Sequence, residues 1–248
     1  FIAEGILKQL PNSDENIGYK RSFQQRIGDC QRESEQFDSS IVSYDKALEL
    51  ANQSSGDKNS KNVNKGTIMH NMAICFQALN NLEGAIKWFH QSLEMHQKRP
   101  DSPAKHYVIA TTFSSIGLCY EQLGEFQKAL DEFYEKAREH LQGAEDDQAT
   151  KQLKSMLYGN EGNCHQLLGH YEKALEAYEN DLTIQKEYAV EDSDITLQLK
   201  DYFEKELIKS NMMTLFKEIE TLNDRNGHNL HSNIGPSSLV EERTILSL

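Results

Sequence analysis

Four cysteines, Cys30, Cys75, Cys119 and Cys164, follow one another at intervals of 45, 44 and 45 residues. A thiol can form a disulfide, ligate a metal or attack as a nucleophile. Their even spacing argues against the first two. Equivalent points on neighbouring packed helices lie about 8–10 Å apart, whereas a disulfide needs alpha carbons within about 7 Å. A zinc site needs ligands converging on a tetrahedron, and a row of equivalent positions does not converge. The four are expected to be buried small hydrophobes in a reducing compartment. His165 stands beside Cys164, but adjacent residues on a helix point to different faces, so no thiol–imidazole pair is expected. His228 and His231, in "HNLH", have a metal-site spacing without a partner ligand. No nucleophile elbow, Gly-rich phosphate loop or metal motif occurs. Neither catalytic residues, a metal nor a cofactor is expected.

The elements that place the cysteines repeat with them. "LCYEQLGEFQKAL" at residues 118–130 returns as "NCHQLLGHYEKAL" at 163–175. Cys, Leu, Gly, Lys, Ala and Leu are identical in register, and Phe126 is matched by Tyr171. Weaker copies, "NNLEGAIKWF" and "EQFDSSIVSY", bring small residues to 40, 85, 129 and 174. A fixed period over four units predicts an array. Each unit carries two apolar patterns of helical spacing: Phe113, Ile116, Gly117 and Tyr120, then Phe126, Ala129, Leu130 and Phe133. Gly124 and Gly169 separate the two as left-handed helix ends. The expectation is an antiparallel helix pair per unit. Inter-unit loops are expected at 53–62, 99–104, 143–147 and 190–194, where the sequence turns polar.

Composition agrees with an ordered helical chain: 248 residues, 38% hydrophobic, only four prolines. No run of about 18 apolar residues is present, and the start lacks the character of a signal peptide. An intracellular chain is expected, in the cytoplasm or on the cytoskeleton, with the nucleus left open. The net charge of −13 disfavours nucleic acid or an anionic membrane as the main partner. A first residue of Phe suggests a fragment or a processed chain.

The landmarks resemble the tetratricopeptide repeat, in which small, aromatic, glycine, aromatic, alanine and aromatic positions lock paired helices. Gly117, Tyr120, Gly124, Phe126, Ala129 and Phe133 supply the set once, and Gly162, Gly169, Tyr171, Ala174 and Tyr178 again. The first unit keeps Gly28, Phe37, Tyr44 and Ala47. His165 departs from the aromatic position, and Lys136 and Asp181 from the closing alanine. The period exceeds the usual length of about 34 residues by about ten, as in long-helix variants of the family. The resemblance implies an all-α, right-handed superhelical solenoid. Four pairs are expected over 20–188, after a remnant of a preceding repeat at 1–19. A degenerate fifth repeat or cap is expected at 189–225 and a flexible tail at 226–248.

The resemblance also implies a concave surface lined by the first helix of each pair. Carried over, its positions are Gln25, Arg26, Asp29 and Arg32, then His70, Asn71 and Gln77, then Ser114, Ser115 and Glu121, then Asn160, Asn163 and Gln166. Carboxamides offer donors and an acceptor together and suit the backbone of an extended peptide. Arg26 and Arg32 suit a carboxylate. The function expected is a non-catalytic adaptor holding a partner peptide or helix, within a larger complex. The alternatives are an assembly scaffold using the convex face or the tail, and a regulatory module of an enzyme whose catalytic domain lies outside these residues.

Overall fold

A computed structural model describes residues 11–187 apart from positions 12 and 56. The expectations for 1–10, 189–225 and 226–248, with His228 and His231, lie outside the described residues. The described chain is helical throughout, as stacked antiparallel pairs: α1 (Asp14–Glu33) with α2 (Phe37–Gln53), and α3 (Lys58–Ala78) with α4 (Leu82–Gln97). The third pair is α5 (Pro103–Gln122) with α6, which runs Phe126–Lys128, Ala129–Tyr134 and Glu135–Leu141; the fourth is α7 (Gln148–Leu167) with α8 (171–187). The first helix of each later pair packs against the second helix of the pair before it, and the array is a solenoid.

Local chemistry sets the helix ends. Ser13, Asp57, Ser102 and Asp147 each accept a hydrogen bond from a backbone N–H three residues on, so α1, α3, α5 and α7 start there. α1 therefore begins inside the stretch expected to precede the first pair. α3 likewise takes up residues 58–62 of an expected loop. Within each pair the turn is one motif used four times. The N–H groups of Gln36, Asn81, Glu125 and His170 reach back to the carbonyls of Gln31, Phe76, Tyr120 and His165 at 2.8, 2.9, 2.9 and 2.8 Å. The left-handed residue is Gly124 or Gly169 in the later pairs (φ 78° and 77°) and Glu35 or Asn80 in the earlier ones.

A fourfold contact closes the pairs. Ser40, Ala85, Ala129 and Ala174 are buried where the helices of a pair meet. Farther along, the rings of Tyr44, Tyr134 and Tyr178 lie against Gly28, Gly117 and Gly162, so closely that an added Cβ would stand 2.6, 2.3 and 2.5 Å from a ring carbon. These contacts correct the sequence alignment of the third pair. Tyr134, not Phe133, is the counterpart of Tyr178, and Ala137, fully buried, takes the closing alanine position assigned above to Lys136. The cause is a π-helical turn over Ala129–Tyr134, which holds one residue more than an α turn. Phe133 is the extra residue, and its ring stacks on Tyr120 at 4.8 Å between centroids.

The cysteine ladder also needs one correction. Cys75, Cys119 and Cys164 are fully buried, but Cys30 is exposed, and all four are free thiols. Cys75 faces the preceding pair, its Sγ 3.4 Å from Ser40 Oγ, and Cys164 lies beside Glu121 of the pair before it. No described helix precedes α1 to cover Cys30 in the same way.

Candidate functional site

The first helices carry every residue expected to line the groove. Most of these are engaged in the fold's own hydrogen bonds. Asp29, half-buried on α1, accepts from the Tyr44 hydroxyl at 2.7 Å and from the Asn71 carboxamide of the next pair at 3.0 Å. Burial, reinforced by the Asp29 hydrogen bond, pushes the Tyr44 phenol well up. Arg32 lies 3.8 Å from Glu33, and the Tyr44 and Asp29 oxygens beside it more than offset the cost of its burial and hold its pKa up. In the third pair Glu121 accepts from Tyr134 at 2.8 Å, and in the fourth the Tyr178 hydroxyl meets Asn163 at 2.8 Å and Gln166 at 2.9 Å. A tyrosine from the second helix thus reaches a polar side chain of the first helix in three of the four pairs.

Two further residues tie neighbouring pairs together. Gln77 donates to Gln122, 45 residues on, at 3.1 Å. His70 stands edge-on to Phe89 with ring centroids 5.1 Å apart and places Nδ1 3.2 Å from the Thr112 hydroxyl. Burial, with smaller contributions from His96 and Arg32, lowers its pKa from 6.5 to about 4, so the ring is neutral at physiological pH. Ser114 is buried, and Ser115 turns its hydroxyl onto the Thr111 carbonyl at 2.9 Å. Gln25 and Asn160, half-buried, and Arg26, exposed, make no side-chain hydrogen bond among the described residues. These three retain their full capacity for a ligand.

The sequence reading left out two kinds of residue on this face. Ile74 and Leu118, both half-buried, stand at the place that Asp29 and Asn163 occupy in the outer pairs, so this position of the face is apolar in the two middle pairs. The tyrosine hydroxyls were missed because they belong to second helices. Their signal was the recurrence of Gly28, Gly117 and Gly162 with a tyrosine 16 or 17 residues on. Burial pushes the Cys119 and Cys164 thiols up to about 12, the opposite of what a nucleophile needs. Among the described residues no group of three or more His, Cys, Asp or Glu side chains is placed to hold a metal ion. No described helix is long and apolar enough to cross a membrane.

Comparison with known proteins gives the same architecture. Residues 22–98 and 64–142 each match the family model of the tetratricopeptide repeat. No curated protein matches the chain. Among solved structures, BtubC (BKLC) from P. vanneervenii superposes with a TM-score of 0.61 at 18% identity, over 74% of this chain and 69% of that one. The apo form of RapI superposes with a TM-score of 0.57 at 17% identity, over 90% of this chain and 76% of that one. At such identities the likeness is one of fold.

Proposed function

Because the chain belongs to the tetratricopeptide-repeat family, we propose that it is a non-catalytic adaptor holding a peptide or helix of a partner protein along the face of its first helices. The observation that carries this reading is the set of unsatisfied polar groups on that face. Arg26 and Asn160 sit at one helical register with Gln25 next to Arg26, and the half-buried apolar side chains of Ile74 and Leu118 lie three residues past that register on the two helices between. A ligand backbone finds donors and acceptors at the ends and an apolar floor in the middle. The Arg26 guanidinium suits an acidic residue or a terminal carboxylate of the ligand. Affinity is spread over several pairs, as expected when each pair offers few contacts.

Arg26→Ala combined with Asn160→Ala removes two of these groups without touching the hydrogen bonds that join helices. Each substitution is expected to weaken a captured partner by about 1 kcal/mol, with thermal unfolding unchanged. Partner capture from cells, read by mass spectrometry and followed by titration of the captured protein, measures this. A partner held equally well by the double variant removes the groove reading. It would favour an assembly scaffold instead, working through the exposed Leu167, Tyr171 and Leu175 of the fourth pair.

A further inference from the structure

The three junctions between pairs are built on one template, and the third departs from it. At the first junction Leu48 of α2 and Met72 of α3 are buried in one apolar cluster, 9% and 2% exposed. At the second, Leu93 of α4 and Ile116 of α5 repeat the arrangement in the next cluster, 4% and 0% exposed. At the third, the same two positions hold Arg138 of α6 and Glu161 of α7. They form an ion pair, Nη2 to Oε1, of 3.2 Å, with the carboxylate side chain 8% exposed and the guanidinium 50% exposed. The π turn produces this substitution. Counted from Ala129 at the spacing of Ala85 to Leu93, the junction position would fall on Ala137; the extra residue moves Arg138 into it.

The junction is also incompletely filled. A cavity of about 310 Å³ opens beside the ion pair, lined by Arg138, Leu141, Gln142, Lys154, Leu157 and Tyr158. A second, of about 180 Å³, includes Glu161 and His165 in its wall. Atoms lining such spaces lack dispersion partners across the junction. An ion pair taken from water loses solvation that its Coulomb attraction barely restores, so it holds two surfaces less well than a packed apolar pair. Burial raises the Glu161 pKa in spite of Arg138, in keeping with that cost. In a solenoid each unit touches only its neighbours, and the array opens first where one junction is weaker than the rest.

We propose that the ion-paired, cavity-flanked junction between α6 and α7 is an articulation, at which the fourth helix pair opens away from the first three as a unit. It divides the first-helix face between Ser115 and Asn160, so a ligand spanning both sides would bridge the articulation and hold it closed. The inference concerns the fold itself and stands whether or not that face binds a peptide.

Amide hydrogen exchange of the full chain tests it. Amides of α7 are expected to exchange at least about tenfold faster than those of α5, with the step falling at the junction. Arg138→Leu with Glu161→Ile, which gives the third junction the residue types of the second, is expected to slow α7 by about tenfold toward α5. Leu93→Arg with Ile116→Glu moves the charges one junction back and is expected to bring the fast step to α5. An α7 to α5 ratio left unchanged by Arg138→Leu with Glu161→Ile would overturn the articulation and leave simple fraying from the end of the array. That measurement decides the matter even if the transplanted pair does not fold.

Discussion

The second and third helix pairs solve one packing problem in two ways. In the second, Ala73 and Phe89 hold the places of Gly117 and Tyr134 and are buried in one cluster, α4 is a plain α-helix, and His96 is buried against Gly66. In the third, Gly117 faces Tyr134, α6 contains a π turn, and Leu141 stands where His96 did, with Ala110 opposite in place of Gly66. The small residue changes with the side chain it must admit: glycine where a tyrosine or histidine ring presses on the helix, alanine where the partner is phenylalanine or leucine. Where the chain has one residue too many, the backbone absorbs it and the ring contacts stay in register. Side-chain fit is thus the conserved quantity of the pair, and helix geometry is what yields.

The largest expected effect breaks the symmetry between His96 and Leu141. Burial, assisted by the neighbouring Arg99, lowers the His96 pKa from 6.5 to about 4. In the unfolded chain the ring titrates near its ordinary value, so between pH 6.5 and 4 the unfolded state binds the extra proton. Stability is therefore complete above pH 6.5 and is lost as pH falls toward 4, by roughly 3 kcal/mol for this residue. His70, shifted likewise to about 4, adds a similar loss. Urea unfolding of wild type and His96→Leu across this range measures it: the variant should lose about half of the acid sensitivity, and parallel curves would contradict the burial.

A smaller effect tests the rule relating ring and small residue. Gly117→Ala places a methyl group 2.3 Å from the Tyr134 ring, and the crowding is expected to cost about 1–3 kcal/mol. The counterpart, Ala73→Gly, gains no contact and gives up helix propensity, about 1 kcal/mol. Thermal unfolding of both separates crowding from propensity. A Gly117→Ala protein at least as stable as wild type would mean that the ring does not need the glycine.

The parts of this architecture that were legible in the sequence are those that recur at 44 or 45 residues: the glycine turns, the buried Ala129 and Ala174, and three of the four cysteines. Cys30 was misread because its burial depends on a neighbouring helix and not on its own pattern. The π turn was missed because Gly124, Phe126 and Ala129 all precede the extra residue and align without it. Tyr134 and Tyr178, 44 residues apart where Ala129 and Ala174 are 45 apart, carried the signal. The candidate face was legible as a row of polar positions. Its internal hydrogen bonds were not, because Asp29 is held by residues 15 and 42 places away.

The smallest expected effect concerns the hydroxyl that the third pair has and the second lacks. The Tyr134 ring is fully buried, yet its hydroxyl reaches Glu121 at 2.8 Å. Tyr134→Phe leaves that carboxylate oxygen without its donor inside the pair and is expected to cost about 1 kcal/mol. The reverse change, Phe89→Tyr, brings a hydroxyl toward Gln77, which holds the place on α3 that Glu121 holds on α5. Its new hydrogen bond would compete with that of Gln77 to Gln122, so it is expected to change stability by less than about 0.5 kcal/mol. Chemical denaturation resolves the difference between the two. If Phe89→Tyr stabilised the protein as much as Tyr134→Phe destabilised it, the hydroxyl would be an interchangeable addition to any pair. If Tyr134→Phe alone has an effect, the Tyr134–Glu121 bond is specific to the pair whose glycine lets the ring come close enough to make it.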